Sequence, residues 1–519
     1  MTGATPLTDP SDALAVLASA MFHSPSFAPE TLLKELDRLD LDMVPPDEWL
    51  IPSAELCAEV AESLGDWPPA TPTTAKDFAL CAAALQRLDR WHRPLLPSEV
   101  TLHRLPDHEA HLDRMAMEDR FNTNLQHGTI IARQAFGSPF LRLDDSELDW
   151  AAAPSTYSII CSLLDICVFL PAVVMAGAAD AASSTEGSRP IALVFRRFPP
   201  EEIGILWPTD AFRLALAPVV ETDADARLWV QGDRYAIELA VPLTRLEAIL
   251  RKTFVNRAHM LLLPEMTVDA DLLPDFIKKF KALRREFALA DDGEVPRLSL
   301  MLIGVIEAPK VSGGMHRNYV AAISASGKIL FTQDKLSHWN LDAVAQSRFG
   351  IDGQHYPIPL YENTSPGINV QITEFDGFGR LMALICADMS HNMPGDWISD
   401  NIGLDWLYAP VMDGSTCGRQ GCFPWIVQRA LRVCDRAGTI VMVTNSMVMT
   451  HWNNQVIARH RADPSYPYKT YETCGIGLIA RRDGRETVIQ HTEIDLLAPE
   501  SPILRIIDWS MGWTPPPAA

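Results

Sequence analysis

The feature that most constrains the fold is the alternation of short apolar runs with amphipathic segments in the C-terminal half. The runs "HMLLLPE", "RLSLMLIGVIE" and "TIVMVTNS" have the length of buried strands, whereas "LTRLEAILRKTFVNRA" and "LPDFIKKFKALRREFALA" carry apolar residues at helical spacing. Strands that alternate with helices predict α/β layers. The turn sequence "SASGK", 324–328, predicts a β-hairpin and therefore gives the sheet a mixed character.

The N-terminal part has a different sequence pattern, which predicts helices. "SDALAVLASAMF" and "TAKDFALCAAALQRLDRW" show apolar residues three and four apart, separated by proline-rich joints. Because 519 residues exceed one ordinary core, two domains are expected. The small-residue stretch 176–190 is the predicted linker. We therefore predict a mainly helical domain of unknown role over 1–185 and an α/β domain over 205–510.

One apolar segment, 158–179, has the length of a membrane span. Asp165 and Pro171 lie inside it, and a charged residue at mid-bilayer costs about 2.5–3.5 kcal/mol on insertion scales. A buried helix or helix pair is the preferred interpretation, and a membrane contact is the alternative.

The net charge limits the classes of molecule that the protein could bind, and the cysteine content indicates its redox compartment. The 66 acidic and 44 basic residues give a net charge of −22, which disfavours binding to nucleic acid or to an anionic membrane. The nine cysteines are sparse and odd in number, which indicates a reducing compartment without a disulfide framework. With no basic segment at the N-terminus, no secretory leader is expected, and the predicted location is cytoplasmic.

Two groups of possible metal ligands have unfavourable spacing. Cys417 and Cys422 form a C-x4-C pair, but no second pair follows. His103, His108 and His111 match no standard set of ligands and read as a solvated loop and helix start. We therefore expect no metal here, and the chemistry of the three reactive side chains described next needs no metal or organic cofactor.

Three reactive side chains are predicted at the ends of buried strands. "MLLLPE" ends in Glu265, "KILFTQDK" ends in Lys335 and "LMALIC" ends in Cys386. Ligands of open α/β sheets bind beyond the carboxyl ends of strands. Each residue alone has a plainer interpretation: Cys386 as a core thiol, Glu265 as a first-turn acid of a helix, Lys335 as a solvated lysine. Their joint arrangement favours a site.

The chemistry of this trio is coherent. An ammonium lowers the pKa of a neighbouring thiol, and the thiolate is the nucleophile. A carboxylate can take the thiol proton and pass it to a leaving amine. The Lys335 ammonium and the backbone N–H of Ala387 are the candidate donors to an oxyanion.

At this point the chain resembles the nitrilase, or carbon–nitrogen hydrolase, superfamily over roughly 205–510. "LLLPEMT" matches its first motif with Glu265 as general base, and "GKILFTQDKLSH" matches its lysine motif with Lys335. "GFGRLMALICADM" matches its cysteine motif, with Cys386 as nucleophile and Asp388 following. The resemblance implies a four-layer αββα sandwich, here preceded by the mainly helical N-terminal domain.

Further motifs extend the resemblance. "YENTSPG" supplies Glu362 as the second active-site glutamate, which in the family helps to orient the lysine. "QRALRVCDRAGTIVMVTNS" and "TCGIGLIARRDGRE" resemble a later helix–strand unit and a late hairpin. The resemblance also implies a homodimer or larger homo-oligomer.

The departures concern the substrate more than the catalytic residues. Ser337 stands where the family usually has His, with His338 one residue later, and 338–356 is an insertion near the predicted mouth of the site. Ala387 and His391 replace the residues that often follow the cysteine in the family.

The predicted pocket residues are therefore Ala387, His391 and Asp413, with Cys417 and Trp425 as further candidates. A surface-loop or packing role is the alternative for the last four.

The resemblance implies hydrolysis of a non-peptide carbon–nitrogen bond through a thioester on Cys386, with an amide favoured over a nitrile. Two alternatives stay open. An amine could replace water as the acceptor, which gives a soluble N-acyltransferase. The fold could instead be a scaffold or a regulated effector whose N-terminal domain binds a protein partner.

Overall fold

The protein is seen in a computed structural model, which describes the following residues: 10–23, 35, 53–65, 67–69, 71–91, 128–132, 160, 164, 167–176, 189–199, 202, 212–222, 224–290, 297–311, 313–343, 346, 351, 356–375, 378–412, 425–448, 462–463, 473–483, 486–495 and 502–509. Within these ranges the α-helices are α1 Pro10–Phe22, α2 Ser53–Leu64, α3 Ala75–Trp91, α4 Leu243–Val255, α5 Leu273–Ala290 and α6 Trp425–Ala437. A 3₁₀ helix covers Cys386–Ser390, and π-helical turns cover Asn392–Asp396 and Ser399–Gly403.

The strands are β1 Gly128–Ala132, β2 Cys167–Pro171, β3 Val173–Ala176, β4 Arg189–Phe198, β5 Phe212–Leu216, β6 Ala226–Gln231, β7 Arg234–Leu239, β8 Met260–Asp269, β9 Leu300–Glu307, β10 Arg317–Ser324, β11 Ile329–Asp334, β12 Asn340–Leu341, β13 Leu360–Glu362, β14 Asn369–Phe375, β15 Gly379–Ala383, β16 Trp406–Val411, β17 Ile440–Asn445, β18 Thr473–Asp483, β19 Glu486–Asp495 and β20 Arg505–Trp509.

Two large mixed sheets form the body of the molecule. The six-stranded sheet has the order β11-β10-β9-β8-β5-β20, and the eight-stranded sheet has the order β19-β18-β17-β16-β15-β14-β4-β3. Neighbours β8 and β9 are parallel, as are β15, β16 and β17, whereas β10 and β11 form the antiparallel hairpin expected at "SASGK".

The side chains of β8 show how the layers are stacked. Met260 and Leu262 join the hydrophobic cluster that contains the eight-stranded sheet, whereas Leu261 and Leu263 join a second cluster with α4 and α5. Successive side chains of a strand point to opposite faces, so one face of the six-stranded sheet packs on the other sheet and one on helices.

Helix α6 packs on the opposite side of the eight-stranded sheet and completes the layers. Its buried residues, which include Ile426, Ala430 and Val433, recur at helical spacing, and it contacts β17, β18 and β19. The four-layer αββα sandwich is therefore confirmed.

The interpretation of 158–179 as a buried helix or helix pair is wrong for most of its described residues. Residues of this segment form β2 and β3, and β3 pairs with β4 at the edge of the eight-stranded sheet. Pro171, which would break a helix, is the last residue of β2. The neighbouring residues Phe169, Leu170 and the valines of β2 and β3 are of types that favour strands. Within the described ranges, the structure has no helix whose length and apolarity would let it cross a bilayer.

The predicted linker, 176–190, connects two paired strands of one sheet. The eight-stranded sheet thus begins at Val173, before the predicted start of the α/β domain at 205. The described N-terminal helices share the hydrophobic cluster of this sheet, and Phe22 of α1 contacts Phe169 and Trp397. The division into domains at 185 and 205 stays a prediction.

A small third sheet lies beside the sandwich. Its order is β12-β13-β7-β6, and β13 pairs in parallel with β7 so that Glu362 lies opposite Tyr235. The predicted insertion 338–356 supplies β12, which aligns Asn340 with Tyr361 of β13. This sheet therefore holds one of the predicted site residues.

Candidate active site

Glu265 lies in an irregular part of β8 rather than at a strand end as predicted. The pairing of β8 with β9 shifts between Leu263 and Val268, and Met266 has a left-handed φ of 49°. The facing residue on β9 is Gly304, where an added Cβ atom would clash with the carbonyl oxygen of Pro264. The bulge that presents Glu265 thus requires a glycine on the neighbouring strand.

Lys335 directly follows β11, as predicted, and its ammonium lies between two carboxylates. Lys335 Nζ is 2.8 Å from Oε1 of Glu265 and 2.7 Å from Oε2 of Glu362. All three side chains are 2% exposed, so the ion pairs are desolvated. An ammonium has three N–H donors, and the two carboxylates take two of them.

The electrostatics of the three residues favour the charged state of the lysine. Burial by itself lowers the pKa of Lys335, but the negative charges of Glu265 and Glu362 outweigh it and raise the pKa well above its usual value. Burial raises the pKa of Glu362, but Lys335 and the hydrogen bonds of Trp339 and Thr364 bring it below its usual value. The site therefore holds an ammonium at neutral pH.

Cys386 sits at a strained turn between strand and helix. Strand β15 ends at Ala383, and Cys386 starts the 3₁₀ helix with a φ of 47°, a conformation that non-glycine residues rarely adopt. Such strain concentrates at functional sites, and a sharp strand-to-helix turn presents the nucleophile in the α/β-hydrolases. The side chain of Cys386 is buried, with the residue 6% exposed.

Cys386 shares one electrostatic environment with the ionic residues. Burial lowers the pKa of Lys335, whereas Glu265, Glu362 and, when its thiol is ionised, Cys386 raise it. Burial and Glu362 raise the pKa of Tyr235 well above its usual value, Lys335 lowers it, and an ionised Cys386 raises it further. Tyr235 belongs to β7 and is buried, so the third sheet covers this side of the site.

Asp388 links the lysine segment to the cysteine turn. Its carboxylate accepts backbone hydrogen bonds from Leu336 at 3.0 Å, Ser337 at 2.8 Å and Ile385 at 3.2 Å. Leu336 follows Lys335, and Ile385 precedes Cys386. One buried carboxylate therefore fixes the separation of the lysine and the cysteine.

Three groups that the sequence analysis did not identify hold the two glutamates. Asn318 Nδ2 donates to Oε1 of Glu265 at 2.8 Å and to Oε1 of Glu362 at 3.5 Å. The Thr364 hydroxyl and the Trp339 backbone N–H each donate to Glu362 at 2.9 Å. In the described part of the chain, no hydrogen bond reaches Oε2 of Glu265, which leaves that oxygen to accept a proton.

The remaining predicted pocket residues are distributed as follows. Ala387 is buried directly after the cysteine, and His391 is half-buried where the 3₁₀ helix ends. Trp425 is the first residue of α6, and its ring stacks on Trp339 with centroids 6.2 Å apart. Asp413 lies outside the described residues.

The other candidate ligands cannot be placed either, since Cys417, Cys422, His103, His108 and His111 all lie outside the described residues. Within the described part, no cluster of three or more His, Cys, Asp or Glu side chains has the arrangement of a metal site.

Comparisons with known proteins give remote likenesses only. No family model matches the chain, and no curated protein matches it. Among solved structures, the chain is similar to a glutamine-dependent NAD+ synthetase from Acinetobacter baumannii, with 13% identity over 58% of this chain and 45% of that chain and a TM-score of 0.32.

It is also similar to Nit3 from Saccharomyces cerevisiae, a member of branch 10 of the nitrilase superfamily, with 13% identity over 56% of this chain and 91% of that chain and a TM-score of 0.31. An amidase from Nesterenkonia sp. has 14% identity over 59% of this chain and 93% of that chain, with a TM-score of 0.32. The chain thus spans less than half of the synthetase and most of the two shorter proteins. Similarities this remote assign no role to individual residues, so the description of the site rests on the distances and hydrogen bonds given above.

Proposed function

We propose that the chain is a cysteine-dependent hydrolase of non-peptide carbon–nitrogen bonds, with an amide favoured over a nitrile. The observation that carries the proposal is the buried Lys335 ammonium, 2.8 and 2.7 Å from two carboxylates, in the electrostatic environment of Cys386. This arrangement supplies a nucleophile, a base and a fixed positive charge, which are the groups that acyl transfer through a thioester needs.

In the first half-reaction, Sγ of Cys386 forms a bond to the carbonyl carbon while Oε2 of Glu265 takes the thiol proton. The third N–H of Lys335 and the backbone N–H of Ala387 donate to the oxyanion. The C–N bond then breaks, and Glu265 returns the proton to the leaving amine. The product is a thioester on Cys386. With a nitrile, the thiol adds across the C≡N bond and Glu265 delivers the proton to the nitrogen, so that no C–N bond breaks and the product is a thioimidate. Addition of water to the thioimidate then releases ammonia and gives the same thioester.

In the second half-reaction, water adds to the thioester carbon while Glu265 takes a proton from it. The C–S bond breaks, Cys386 regains its proton, and the acid is released. Glu362 keeps Lys335 in place through both steps, since it accepts from the ammonium and is itself held by Thr364 and Trp339.

The first test is the mass of the intact protein after treatment with iodoacetamide at pH 7. We expect fast labelling at Cys386 that is absent in Cys386→Ala and slowed in Lys335→Ala and in Glu265→Gln. Ammonia release from a panel of short primary amides then tests turnover. Labelling of Cys386 at the rate of the other cysteines would overturn the proposal and favour the scaffold alternative.

Hydrolysis and acyl transfer share the thioester and differ in the acceptor. Adding hydroxylamine to an amide reaction separates them, because a transferase forms the hydroxamate in preference to the acid. The homo-oligomeric state, the cytoplasmic location and a protein partner for the N-terminal half stay predictions.

A further inference from the structure

Asn318 occupies a position in β10 at the centre of the ionic residues. Its side chain is fully buried, and Nδ2 lies 2.8 Å from Glu265 and 3.5 Å from Glu362. Both neighbours are carboxylate oxygens, which accept hydrogen bonds and cannot donate them when ionised. The two glutamates therefore fix the orientation of the amide, because only the NH2 group can face them.

This orientation leaves the Asn318 carbonyl oxygen without a donor. Among the described residues, Oδ1 is buried and has no hydrogen-bond partner. The nearby donors are already engaged, since Thr364, the Trp339 N–H and two N–H groups of Lys335 all point to the glutamates. Buried carbonyl oxygens nearly always have a partner, so an orphan acceptor beside a reactive group indicates a ligand that donates.

We propose that Oδ1 of Asn318 accepts a hydrogen bond from an N–H of the substrate carboxamide, and that the site thereby selects amides over nitriles and esters. The inference rests on the proposed function. A carboxamide carries the donor that the orphan oxygen lacks, whereas an ester or a nitrile carries none. A site built to bond an N–H leaves its own polar group unpaired when the N–H is missing, which penalises the analogue.

The test compares two alkylating probes of similar shape. Iodoacetamide carries carboxamide N–H groups, and methyl iodoacetate does not. The rate of Cys386 labelling by each probe is divided by the rate for N-acetylcysteine, which removes intrinsic reactivity. For the wild type, we expect the corrected ratio to favour iodoacetamide by about 10- to 100-fold, the value of one hydrogen bond to a buried acceptor.

Two variants assign the preference to Asn318. Asn318→Ala removes the acceptor and should bring the corrected ratio close to one. Thr364→Val is the matched control, because it removes a different hydrogen bond to Glu362 and should slow both probes while the ratio is kept. If Asn318→Ala does not fold, Asn318→Val replaces it, since valine suits a strand and also lacks an acceptor. The wild-type ratio remains a test by itself.

Failure of the inference and failure of the proposed function give different results. Fast labelling by both probes with a corrected ratio of one would overturn the role of Asn318 and leave the hydrolase proposal standing. An unchanged ratio in Asn318→Ala would also overturn it. Slow labelling of Cys386 by both probes would overturn the hydrolase proposal and the inference together.

Discussion

Lys335 balances the charge of two buried carboxylates, so its removal affects the whole fold. In Lys335→Met, Glu265 and Glu362 face each other without a cation, and breaking a buried ion pair from one side costs about 3–5 kcal/mol. We expect the free energy of unfolding in urea to fall by about this amount. Adding Glu362→Gln should recover part of the loss, because one buried charge then disappears. A loss below about 1 kcal/mol, the value of an exposed pair, would contradict the buried arrangement.

Asp388 should set the acid limb of activity. Burial raises the pKa of Asp388 from its usual 3.8 to about 7, against the hydrogen bonds of Leu336, Ile385 and Ser337 and the charge of Lys335, which lower it. The ionised carboxylate holds the lysine and cysteine segments together, so kcat/KM should rise as the pH passes about 7. Stability changes in the opposite direction. Between pH 3.8, the usual pKa of an Asp and that expected in the unfolded chain, and pH about 7, the pKa of Asp388 in the folded protein, the folded protein binds a proton that the unfolded chain has lost. The contribution of Asp388 to the free energy of unfolding therefore falls as the pH rises through this range.

The variant Asp388→Asn tests this role through the pH profile of kcat/KM. An NH2 group that faces backbone N–H donors breaks the link, so we expect a loss of about 100-fold and no acid limb near pH 7. Asp405→Asn is the control, since Asp405 is also buried and accepts a backbone N–H, from Arg380 at 2.7 Å. Asp405→Asn should lower the stability and keep the acid limb of the pH profile. An acid limb that is unchanged in Asp388→Asn would contradict the assignment of this limb to Asp388.

At the scale of elements, the close approach of β8 and β9 presents Glu265, the proposed base. In Gly304→Ala the new methyl group would meet Pro264, so the bulge must move and Glu265 with it. We expect a loss of activity of about 100-fold, the cost of a shift near 1 Å, together with lower stability. The measurement is the rate of Cys386 labelling beside urea denaturation.

Gly477→Ala provides a comparison in the other sheet. A Cβ atom there would lie 2.6 Å from the carbonyl oxygen of Val443, a comparable clash between neighbouring strands. It should destabilise the protein without slowing Cys386 labelling relative to its folded fraction. Equal losses of labelling in both variants would mean that the bulge has no special role.

The pairing of strands also explains which site residues the sequence could predict. Lys335 follows an apolar strand and could be found from the pattern alone. Asn318 could not be found in this way. A regular hairpin counted back from its turn would place Arg317 opposite Lys335. The pairing shifts by one residue between Ala322 and Ile323, and the shift brings Asn318 to that position instead. Bulges depend on tertiary packing and leave no periodic signal. For the same reason, the sequence did not predict the bulge at Glu265.

Two other results depend on context that local patterns lack. The segment containing β2 and β3 is apolar enough for a helix or a strand, and pairing with β1 and β4 decides the matter. Asp388 was identified only as the residue after Cys-Ala, since its partners Leu336 and Ser337 are about fifty positions away in the chain. The alternation of strands and helices predicted α/β layers, and the resemblance to the nitrilase superfamily implied that there are four of them.

At the scale of the molecule, the N-terminal helices and the sandwich should unfold together. Phe22 of α1 packs on Phe169 and on Trp397, and the N-terminal helices share one hydrophobic cluster with the eight-stranded sheet. We expect Phe22→Ala to shift the whole urea transition to lower concentration, with tryptophan fluorescence and circular dichroism coincident. Two separate transitions, with only the first one shifted, would show that the N-terminal half is an independent unit.

Under the proposed function, the position of Lys335 has a consequence for the survival of the protein. A thioester on Cys386 is an acylating agent, and a neutral amine close to it would capture the acyl group in a stable amide. The two carboxylates raise the pKa of Lys335 well above its usual value, against the effect of burial, and so keep its nitrogen lone pair protonated. The same contacts that hold the positive charge in place thus protect the protein from acylating itself.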